Sequence, residues 1–413
     1  MRLLIFSAYF EPEIAASMYI STNLYEDMAI YGWNVELFVP MPTRGIKKEV
    51  RKQFKKKKLE TKYDGRLRIH RVSMMREWKN PIFRTFRYLM INLAFIWKGL
   101  QKETDLIFVQ STPPTQGAMA AVLKKIKKVP FVYNLQDTFP DSLVNAGMVK
   151  EGSLVWKIGR VIENFTYKNA DRIIVISEDI KKNIMAKGVS VEKIEVIYNW
   201  VEANNVVPIS KGDNILYERF GLDRSKFYIV YAGNLGYAQN IEVILKTASL
   251  LADEKNIQFL IFGKGAQEVY YKKMARDLSL DNVRFLPMLP YDEVSYVYSL
   301  ADASIVSCKT GFGGSAMPSK IWSIMSAATA VIASFDADTD VEYIIKKNRT
   351  GIFTHSGDTN AMKDAVMKLY KNRNLCNAMG NNGRNLIEHN FNRKIATQKY
   401  NSVLSDLKSQ VNI

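Results

Sequence analysis

The chain contains the segment Tyr231-Ala-Gly-Asn-Leu-Gly-Tyr-Ala-Gln239, which continues the apolar run Phe227-Tyr-Ile-Val-Tyr231. A buried strand that runs into glycines and then a helix is typical of a parallel α/β sheet, whose ligands bind at the carboxyl ends of the strands. Two further segments of the same half are predicted loops at strand ends: Phe262-Gly-Lys-Gly265, which also contains glycines, and Met317-Pro-Ser-Lys-Ile321, which starts a helix. Together they predict a nucleotide-diphosphate site in the C-terminal half, because glycines admit backbone N–H groups to a phosphate and a helix N-terminus adds positive potential.

The candidate phosphate contacts are the glycines and the start of the third segment. Pro318 suits a first helical turn, where its missing N–H would be unpaired anyway. Ser319 and the free N–H groups can bind phosphate oxygens, and Lys320 adds a positive charge. The alternatives are an ordinary capped core helix and a plain strand-to-helix turn. The glycines of this set are Gly233, Gly236, Gly263 and Gly265.

Chain length and pattern predict two domains. The 413 residues exceed one ordinary core and suit two α/β domains. Strands and helices alternate, pause at the polar stretch Glu202 to Asp213, and then start again. The predicted fold is α/β, with two Rossmann-like doubly wound domains, 1–203 and 204–391, facing each other across a cleft. A C-terminal helix, 392–413, can pack back on the first domain.

The net charge of +17 is concentrated in the first domain. Between Met41 and Asn80 there are fifteen Lys and Arg residues and four Asp and Glu residues, and the aromatic and aliphatic run Trp78 to Trp97 follows. Segment 44–97 therefore predicts a surface for anionic lipid headgroups. A solvated loop followed by a core-packed helix is the alternative, and nucleic acid ranks third because no nucleic-acid module accompanies the charge.

Other functions are disfavoured by what the sequence contains. Two cysteines and three histidines without metal-ligand spacing predict neither a metal site nor a disulfide framework, and they fit a reducing cytosol. The apolar start of the chain is read as a first strand, since Glu11 and Glu13 follow it at once. No apolar run is long enough to predict a membrane span.

Two loops of the first domain carry candidate carboxylates. Asp137 lies in Gln136-Asp-Thr-Phe-Pro-Asp141, just after a predicted strand, and could accept a proton from an acceptor hydroxyl. An Asx-turn or a helix N-cap is the alternative for this residue. Glu13 lies in the loop after the first strand, which commonly covers the ligand in such sheets, and surface exposure is its alternative.

With these segments in view, the chain resembles the retaining glycosyltransferases of family 4, which have the GT-B fold. It is most similar to the bacterial subgroup that builds O-antigen and capsule, including the WbuB-like N-acetyl-fucosamine transferases. The resemblance covers essentially the full length. The segments that carry it are Tyr9-Phe-Glu-Pro-Glu13, Gln136-Asp-Thr-Phe-Pro-Asp141, Val175-Ile-Ser-Glu178, Val196-Ile-Tyr-Asn-Trp-Val201, Gly233-Asn-Leu-Gly-Tyr-Ala-Gln239 and Met317-Pro-Ser-Lys320.

The resemblance implies a nucleotide-sugar donor, with UDP as the expected nucleotide, bound by the C-terminal domain. Asn234, Gly236, Ser319 and Lys320 would lie beside the diphosphate. A polyprenyl-diphosphate-linked saccharide at the cytoplasmic face of the membrane would be the acceptor. The group transferred would be a hexose or an N-acetyl-amino-deoxyhexose such as FucNAc, with retained anomeric configuration and Asp137 as base. No cofactor and no divalent metal are expected.

Several positions depart from the pattern of the family. The two glutamates often found eight positions apart correspond to Ser315 and Ser323, of which Ser323 would face the ribose. The Gly-Lys-Pro that often follows this helix is Ala328-Thr329-Ala330, and the Gly-Gly of the first loop is Ala15 and Ala16. These departures leave two alternatives open: a catalytically degenerate GT-B partner in a polysaccharide assembly complex, and a GT-B nucleotide-sugar epimerase.

Overall fold

The computed structural model describes residues 1–13, 18–43, 46–76, 80–145, 147–315 and 317–411. The chain divides into two compact units. The first contains residues 1–199 together with the segment that starts at Lys394, and the second contains Trp200–Arg393. Both are layered α/β units built on a largely parallel sheet.

The first unit has an eight-stranded sheet in the order β3-β4-β2-β1-β5-β6-β7-β8. All neighbours are parallel except β3, which pairs antiparallel with β4. Strands that are buried on both faces read as continuous apolar runs, and this is the pattern of the central strands here. The strands are β1 (Arg2–Phe6), β2 (Asn34–Pro40), β3 (Leu59–Lys62), β4 (Leu67–Val72), β5 (Leu106–Gln110), β6 (Phe131–Leu135), β7 (Arg172–Val175) and β8 (Ile194–Val196).

Helices connect these strands in the manner of a doubly wound fold. They are α1 (Met18–Ile30), α2 (Lys48–Lys56), α3 (Pro81–Leu100), α4 (Thr115–Lys127), α5 (Asp141–Asn145), α6 (Leu154–Asn169) and α7 (Glu178–Ala186). From the sequence, a solvated loop is one alternative for the basic segment. The structure shows regular elements there instead, helix α2 and the β3–β4 hairpin. Helix α3 packs beside α4, and α4 beside α6.

The second unit has a six-stranded sheet, parallel throughout, in the order β11-β10-β9-β12-β13-β14. This is the Rossmann order, in which the order of successive strands across the sheet reverses between the first and the fourth strand and leaves a crevice there. In this unit the reversal lies between β9 and β12. The strands are β9 (Phe227–Asn234), β10 (Ile257–Lys264), β11 (Val283–Leu286), β12 (Ala303–Ser307), β13 (Ala330–Phe335) and β14 (Gly351–His355).

The helices of the second unit cover both faces of its sheet. They are α8 (Leu216–Arg219), α9 (Ile241–Leu250), α10 (Glu268–Asp277), α11 (Val294–Ser299), α12 (Lys320–Ser326), α13 (Asp340–Asn348), α14 (Thr359–Lys371) and α15 (Arg373–Asn390). One core lies under α9, α10 and α14 and contains Phe259, Ile261 and Ile332. A second core lies on the other face and contains Val230 and Leu260.

The last helix, α16 (Arg393–Val411), packs in the first unit. The indole Nε1 of Trp33 donates to the Asn401 Oδ1 at 2.8 Å. The buried Tyr400 hydroxyl donates to the Asn134 Oδ1 at 3.1 Å. The chain therefore passes from the first unit to the second at Asn199–Trp200 and returns after Arg393 to complete the first.

Among the helices that the structure describes, none combines the length and the apolar character needed to cross a membrane.

Candidate functional site

The carboxyl end of β9 makes room for a lysine. Side chains two positions apart share one face of a strand, so Tyr231 and Gly233 face the same side. The φ of Gly233 is +143°, and a Cβ there would stand 2.7 Å from the Lys320 Nζ. A residue with a side chain would be strained at this φ, and its Cβ would displace the end of the lysine side chain, so glycine is favoured here. Two of the predicted segments thus meet, with Gly233 beneath Lys320.

The Lys320 ammonium occupies an unusual environment. Its Nζ lies 4.0 Å from the centre of the Tyr231 ring. In the described parts of the chain, no carboxylate or other hydrogen-bond acceptor pairs with this amine, although the residue is half-buried. Burial without a counter-charge disfavours the charged form and lowers the pKa of Lys320 to about 7. An anion bound here would supply the missing partner.

The glycines after β10 pack the two loops together. Gly263 is the register partner of Gly233, and a Cβ on Gly263 would lie 2.3 Å from the Gly233 carbonyl oxygen. A Cβ on Gly265 would lie 2.5 Å from the Leu235 backbone. Close approach of the two loops therefore accounts for both glycines, and their contact with a phosphate stays a prediction.

The turn after β9 is fixed by hydrogen bonds from outside it. The Tyr271 hydroxyl donates to the Gly236 carbonyl at 3.0 Å, and the Ser307 hydroxyl donates to the Gln239 carbonyl at 2.6 Å. Asn234 is exposed, and its Nδ2 lies 3.5 Å from the Gln239 Oε1. These contacts leave the Asn234 amide at the surface, where a ligand can reach it.

Pro318 and Ser319 form the turn that leads into α12. The Pro318 carbonyl accepts from the Ile321 N–H at 3.1 Å. Ser319 occupies the N-cap position without a side-chain capping bond, so its hydroxyl is not used by the helix. Ser323 follows one turn later and is buried. The Ser315 backbone lies in a 3₁₀ turn, and its side chain is outside the described residues.

Asp336 lies in this region but is not predicted from the sequence as a site residue. The Asp336 Oδ2 accepts from the Gly311 N–H at 2.9 Å and from the Gly313 N–H at 2.8 Å. It therefore fixes the loop that precedes Pro318. The available signal is its position directly after β13, where polar residues of parallel sheets face the ligand edge.

The end of α12 shows why one departure from the family pattern matters. The Ala328 N–H bonds to the Met325 carbonyl at 3.0 Å and the Thr329 N–H to the Ile324 carbonyl at 3.2 Å. These are the two bonds of a Schellman motif, which usually has glycine at its left-handed position. Here Ala328 takes that position with a φ of +54°. The family glycine would fit it without strain.

Asp137 lies in the loop after β6 and is exposed as a residue. Surrounding protein atoms still withdraw water and raise the pKa of Asp137, while bonds from the Ser142 side chain and the Thr138 backbone act in the opposite sense. Asp137 can therefore take part in the hydrogen bonds of this turn and still be the candidate proton acceptor. The loop is anchored at its start, where the Gln136 N–H donates to the Ser111 hydroxyl at 3.0 Å.

An ion-pair network lies at the other end of that loop. The Lys187 Nζ is 2.6 Å from the Asp141 Oδ2 and 2.8 Å from the Glu163 Oε1. The Tyr167 hydroxyl also donates to the Glu163 Oε1, at 2.8 Å. Lys187 and Glu163 are largely removed from solvent, so this network holds the end of the loop that carries Asp137.

Glu13 is buried, so the alternative of surface exposure is wrong for this residue. Its Oε1 accepts from the Thr43 N–H at 2.7 Å. Ala15 and Ala16 lie outside the described residues. No group of three metal-ligating side chains was found in the part of the chain that the structure describes.

Both halves of the chain match family models. Residues 21–205 match "Glycosyltransferase Family 4" and residues 215–386 match "Glycosyl transferases group 1". The chain is a glycosyltransferase of the GT-B fold. The resemblance to family 4 is thereby confirmed at the level of the family, and the WbuB-like subgroup stays a prediction.

This glycosyltransferase has relatives in bacteria. It is 25% identical to the "Probable glycosyltransferase WbjE" of Pseudomonas aeruginosa over 68% of this chain and 70% of that protein. It is 27% identical to the "Putative colanic acid biosynthesis glycosyl transferase WcaI" of Escherichia coli K12 over 53% of this chain and 54% of that protein.

Solved structures confirm the fold over nearly the whole glycosyltransferase. The sucrose-phosphate synthase of Thermosynechococcus elongatus superposes with a TM-score of 0.80 at 17% identity, covering 99% of each chain. The Anabaena protein Alr3699/HepE, in complex with UDP and glucose, superposes with a TM-score of 0.72 at 14% identity, covering 98% of this chain and 99% of that one.

Proposed function

We propose that this glycosyltransferase transfers a sugar from a UDP-sugar to a lipid-linked saccharide in the synthesis of a bacterial polysaccharide such as O-antigen or capsule. The observation that carries the donor part of the proposal is the Lys320 ammonium, which has no counter-charge among the described residues and is held over Gly233 at the crevice of the second sheet. A half-buried cation without a counter-charge is costly unless a ligand supplies the anion. The diphosphate of a nucleotide sugar supplies it.

The choice of UDP draws on the structural neighbours. HepE is described in complexes with UDP and with UDP-glucose, and an E. coli trehalose-6-phosphate protein with UDP-2-fluoro glucose. In the proposal, Asn234, Gly236, Ser319 and Lys320 lie beside the diphosphate, and Ser323 lies near the ribose.

The proposed chemistry needs charge stabilisation at one end and a proton acceptor at the other. As the bond to the sugar breaks, negative charge grows on the leaving diphosphate. Fixed positive groups that already point at that charge stabilise the transition state strongly. Lys320 and the backbone N–H of Ser319 serve this role. Asp137 accepts or positions the proton of the acceptor hydroxyl, which attacks from the face of the leaving group, so that the anomeric configuration is retained.

The acceptor half draws on the surface of the first unit. Helix α3 exposes Phe86, Leu93 and Trp97, and Trp97 is 66% exposed. Helix α6 exposes Leu154 and Val161, which are 74% and 68% exposed. Large contiguous apolar surfaces mark sites of interaction with proteins or membranes. With the basic helix α2 in the same unit, they fit peripheral binding to the cytoplasmic face of an anionic membrane, where a polyprenyl-diphosphate acceptor would be met.

The relatives supply the biological setting of the proposal. One relative is named for colanic acid biosynthesis, and another, from Staphylococcus aureus, for capsular polysaccharide biosynthesis. An N-acetyl-amino-deoxyhexose such as FucNAc is the proposed transferred group, following the WbuB-like resemblance.

The donor half is tested by thermal unfolding of the full chain with UDP, GDP, ADP, CMP, dTDP and UDP-glucose. We expect UDP compounds alone to raise the melting temperature, since a ligand at 100 times its Kd stabilises the folded state by about 2.7 kcal/mol. The variant Lys320→Met should lose most of the rise. If no nucleotide raises the melting temperature of folded protein at millimolar concentration, the proposed donor site is wrong.

A further inference from the structure

The first unit contains a cavity of about 300 Å³, and the side chains that line it are all cationic among the residues that the structure describes. They are Lys48, Arg51, Lys52, Lys55 and Arg76. Four of them come from α2, at the spacing that places residues on one face of a helix. Like charges at this spacing repel one another and destabilise the helix. The cavity therefore concentrates positive charge, and a bound anion would reduce the repulsion between these side chains.

Arginines hold the chain around this cavity in place. The Arg51 Nη2 donates to the Met74 carbonyl at 3.4 Å, and the Arg87 Nε donates to the Met75 carbonyl at 3.2 Å. The backbone at Met74 and Met75 is thus bonded to α2 by one guanidinium and to α3 by another. This arrangement places Arg51, Arg76 and Arg87 around one piece of backbone.

Arg87 supplies an independent sign of a missing ligand. The residue is fully buried, and among the described residues its Nη1 and Nη2 have no hydrogen-bond partner. A buried charge without a partner carries a desolvation cost of several kcal/mol. Burial and the nearby charges of Arg76 and Arg87 lower the pKa of Arg51, whereas Glu13 acts to raise it. The Arg51 guanidinium therefore lies close enough to Arg76 and Arg87 to be repelled by both. The nearby carboxylate of Glu13 already accepts a hydrogen bond from the Thr43 N–H.

We propose that this cavity binds the diphosphate of the lipid-linked acceptor. The inference rests on the proposed function and adds the site at which the acceptor is held. Guanidinium groups bind phosphate oxygens in a two-pronged geometry that a lysine cannot match. The helix that buries Arg87 exposes Phe86, Met90 and Leu93 on its outer side. Arg87 does not itself line the cavity, and it adds positive potential from behind the lining residues, while the exposed side of α3 offers an apolar surface to the prenyl chain.

The test is a calorimetric titration of the full chain with inorganic pyrophosphate at low salt. We expect the double variant Arg51→Gln/Arg76→Gln to bind pyrophosphate at least tenfold more weakly than the unmodified chain. The matched control is Lys56→Gln/Lys57→Gln, which removes the same charge beside the cavity and should change the affinity less than threefold. Equal weakening by the two double variants would overturn the proposal, because it would show a general effect of charge.

Pyrophosphate can also enter the donor site, so the titration is repeated in Lys320→Met. If that variant loses the binding while Arg51→Gln/Arg76→Gln keeps it, the cavity proposal fails and the donor site stands. If UDP fails to bind the unmodified chain while the Arg51/Arg76 effect persists, the donor proposal fails and the cavity stands. The two failures are therefore distinguishable.

Competition against bound pyrophosphate distinguishes a prenyl diphosphate from a phospholipid headgroup as the ligand of the cavity. Farnesyl diphosphate should displace pyrophosphate, with farnesol as the control that lacks the anion. Vesicles of phosphatidylcholine with 30% phosphatidylglycerol should not displace it at equal lipid phosphate. Displacement by those vesicles alone would assign the cavity to a lipid headgroup and overturn the acceptor assignment. A third variant, Arg87→Met, should stabilise the free chain and lose the rise in melting temperature that pyrophosphate causes.

Discussion

Replacing Lys320 by Met should make the second unit more stable and the donor bind less tightly. Met keeps an aliphatic chain against the Tyr231 ring but removes an amine to which the described residues supply no counter-charge. With a pKa of 10.5 in the unfolded chain and about 7 in the folded one, the amine lowers stability at pH 7 by at most about 4 kcal/mol. Because the group is half-buried and keeps some water, we expect a gain of about 1–3 kcal/mol.

The pH dependence of that gain has a definite sign. The folded pKa is below the unfolded pKa, so the cost is fully present below pH 7 and disappears as the pH rises to 10.5. Chemical denaturation at pH 6.5 and at pH 10 should therefore show a large gain for Lys320→Met at the lower pH and a small one at the higher pH. A bound diphosphate restores the proton, so the unmodified chain should bind UDP-glucose most tightly below pH 7 and progressively less tightly above it.

The control is Lys346→Met, which removes an ammonium that also lies over an aromatic ring, that of Phe353, but is paired with Glu342. An exposed pair of this kind contributes up to about 1 kcal/mol, so the control should lose a little stability and keep its affinity for UDP-glucose. A loss of stability at pH 6.5 in Lys320→Met, or an unchanged affinity for UDP-glucose, would refute the reasoning.

Three further predictions concern the loops around the two candidate sites. Asp137→Asn should lower the turnover number by about 10²- to 10⁴-fold with unchanged UDP-glucose affinity, because it removes a base and leaves the donor site intact; a fall below threefold in a coupled transferase assay would exclude the base role. Ala328→Gly should raise the free energy of unfolding by about 0.5–1 kcal/mol, since glycine takes the left-handed conformation without strain, while Ala327→Gly, with a φ of −80°, should lower it by a similar amount. Gly265→Ala should cost about 1–3 kcal/mol, because its Cβ would meet the neighbouring backbone at 2.5 Å, whereas Gly212→Ala should be nearly neutral in the same urea titration.

The donor loops could be predicted because their information is local. A strand that ends at Gly233 and a turn that begins at Pro318 are each readable from a few neighbouring residues. Their meeting through Lys320 is a tertiary contact, and so is the reason for Gly265, which lies against a loop thirty residues earlier in the chain. Sequence pattern can place such residues at one edge of a sheet, but it cannot show which atoms touch.

The basic segment shows where local pattern is insufficient. Strand β3 has one apolar residue, Leu59, and exists because β4 pairs with it, so its sequence alone does not predict a strand. The sequence leaves open whether the aromatic run of α3 is exposed or packed in the core. The structure divides it, since Phe95 is buried with Arg87 whereas Phe86 and Trp97 are exposed. The direction of that helix is set by its surroundings, which include the arginine-held segment next to it.

The return of α16 to the first unit has a consequence for synthesis on the ribosome. The second unit is continuous in the chain, whereas the first needs Tyr400 and Asn401 to satisfy Asn134 and Trp33. Domains of most nascent chains fold in order from the N-terminus. Here the first sheet is made early but lacks a packing helix until residues 394–411 have been translated. The unit synthesised first is therefore the one completed last, and the donor-binding unit can reach its final structure before it.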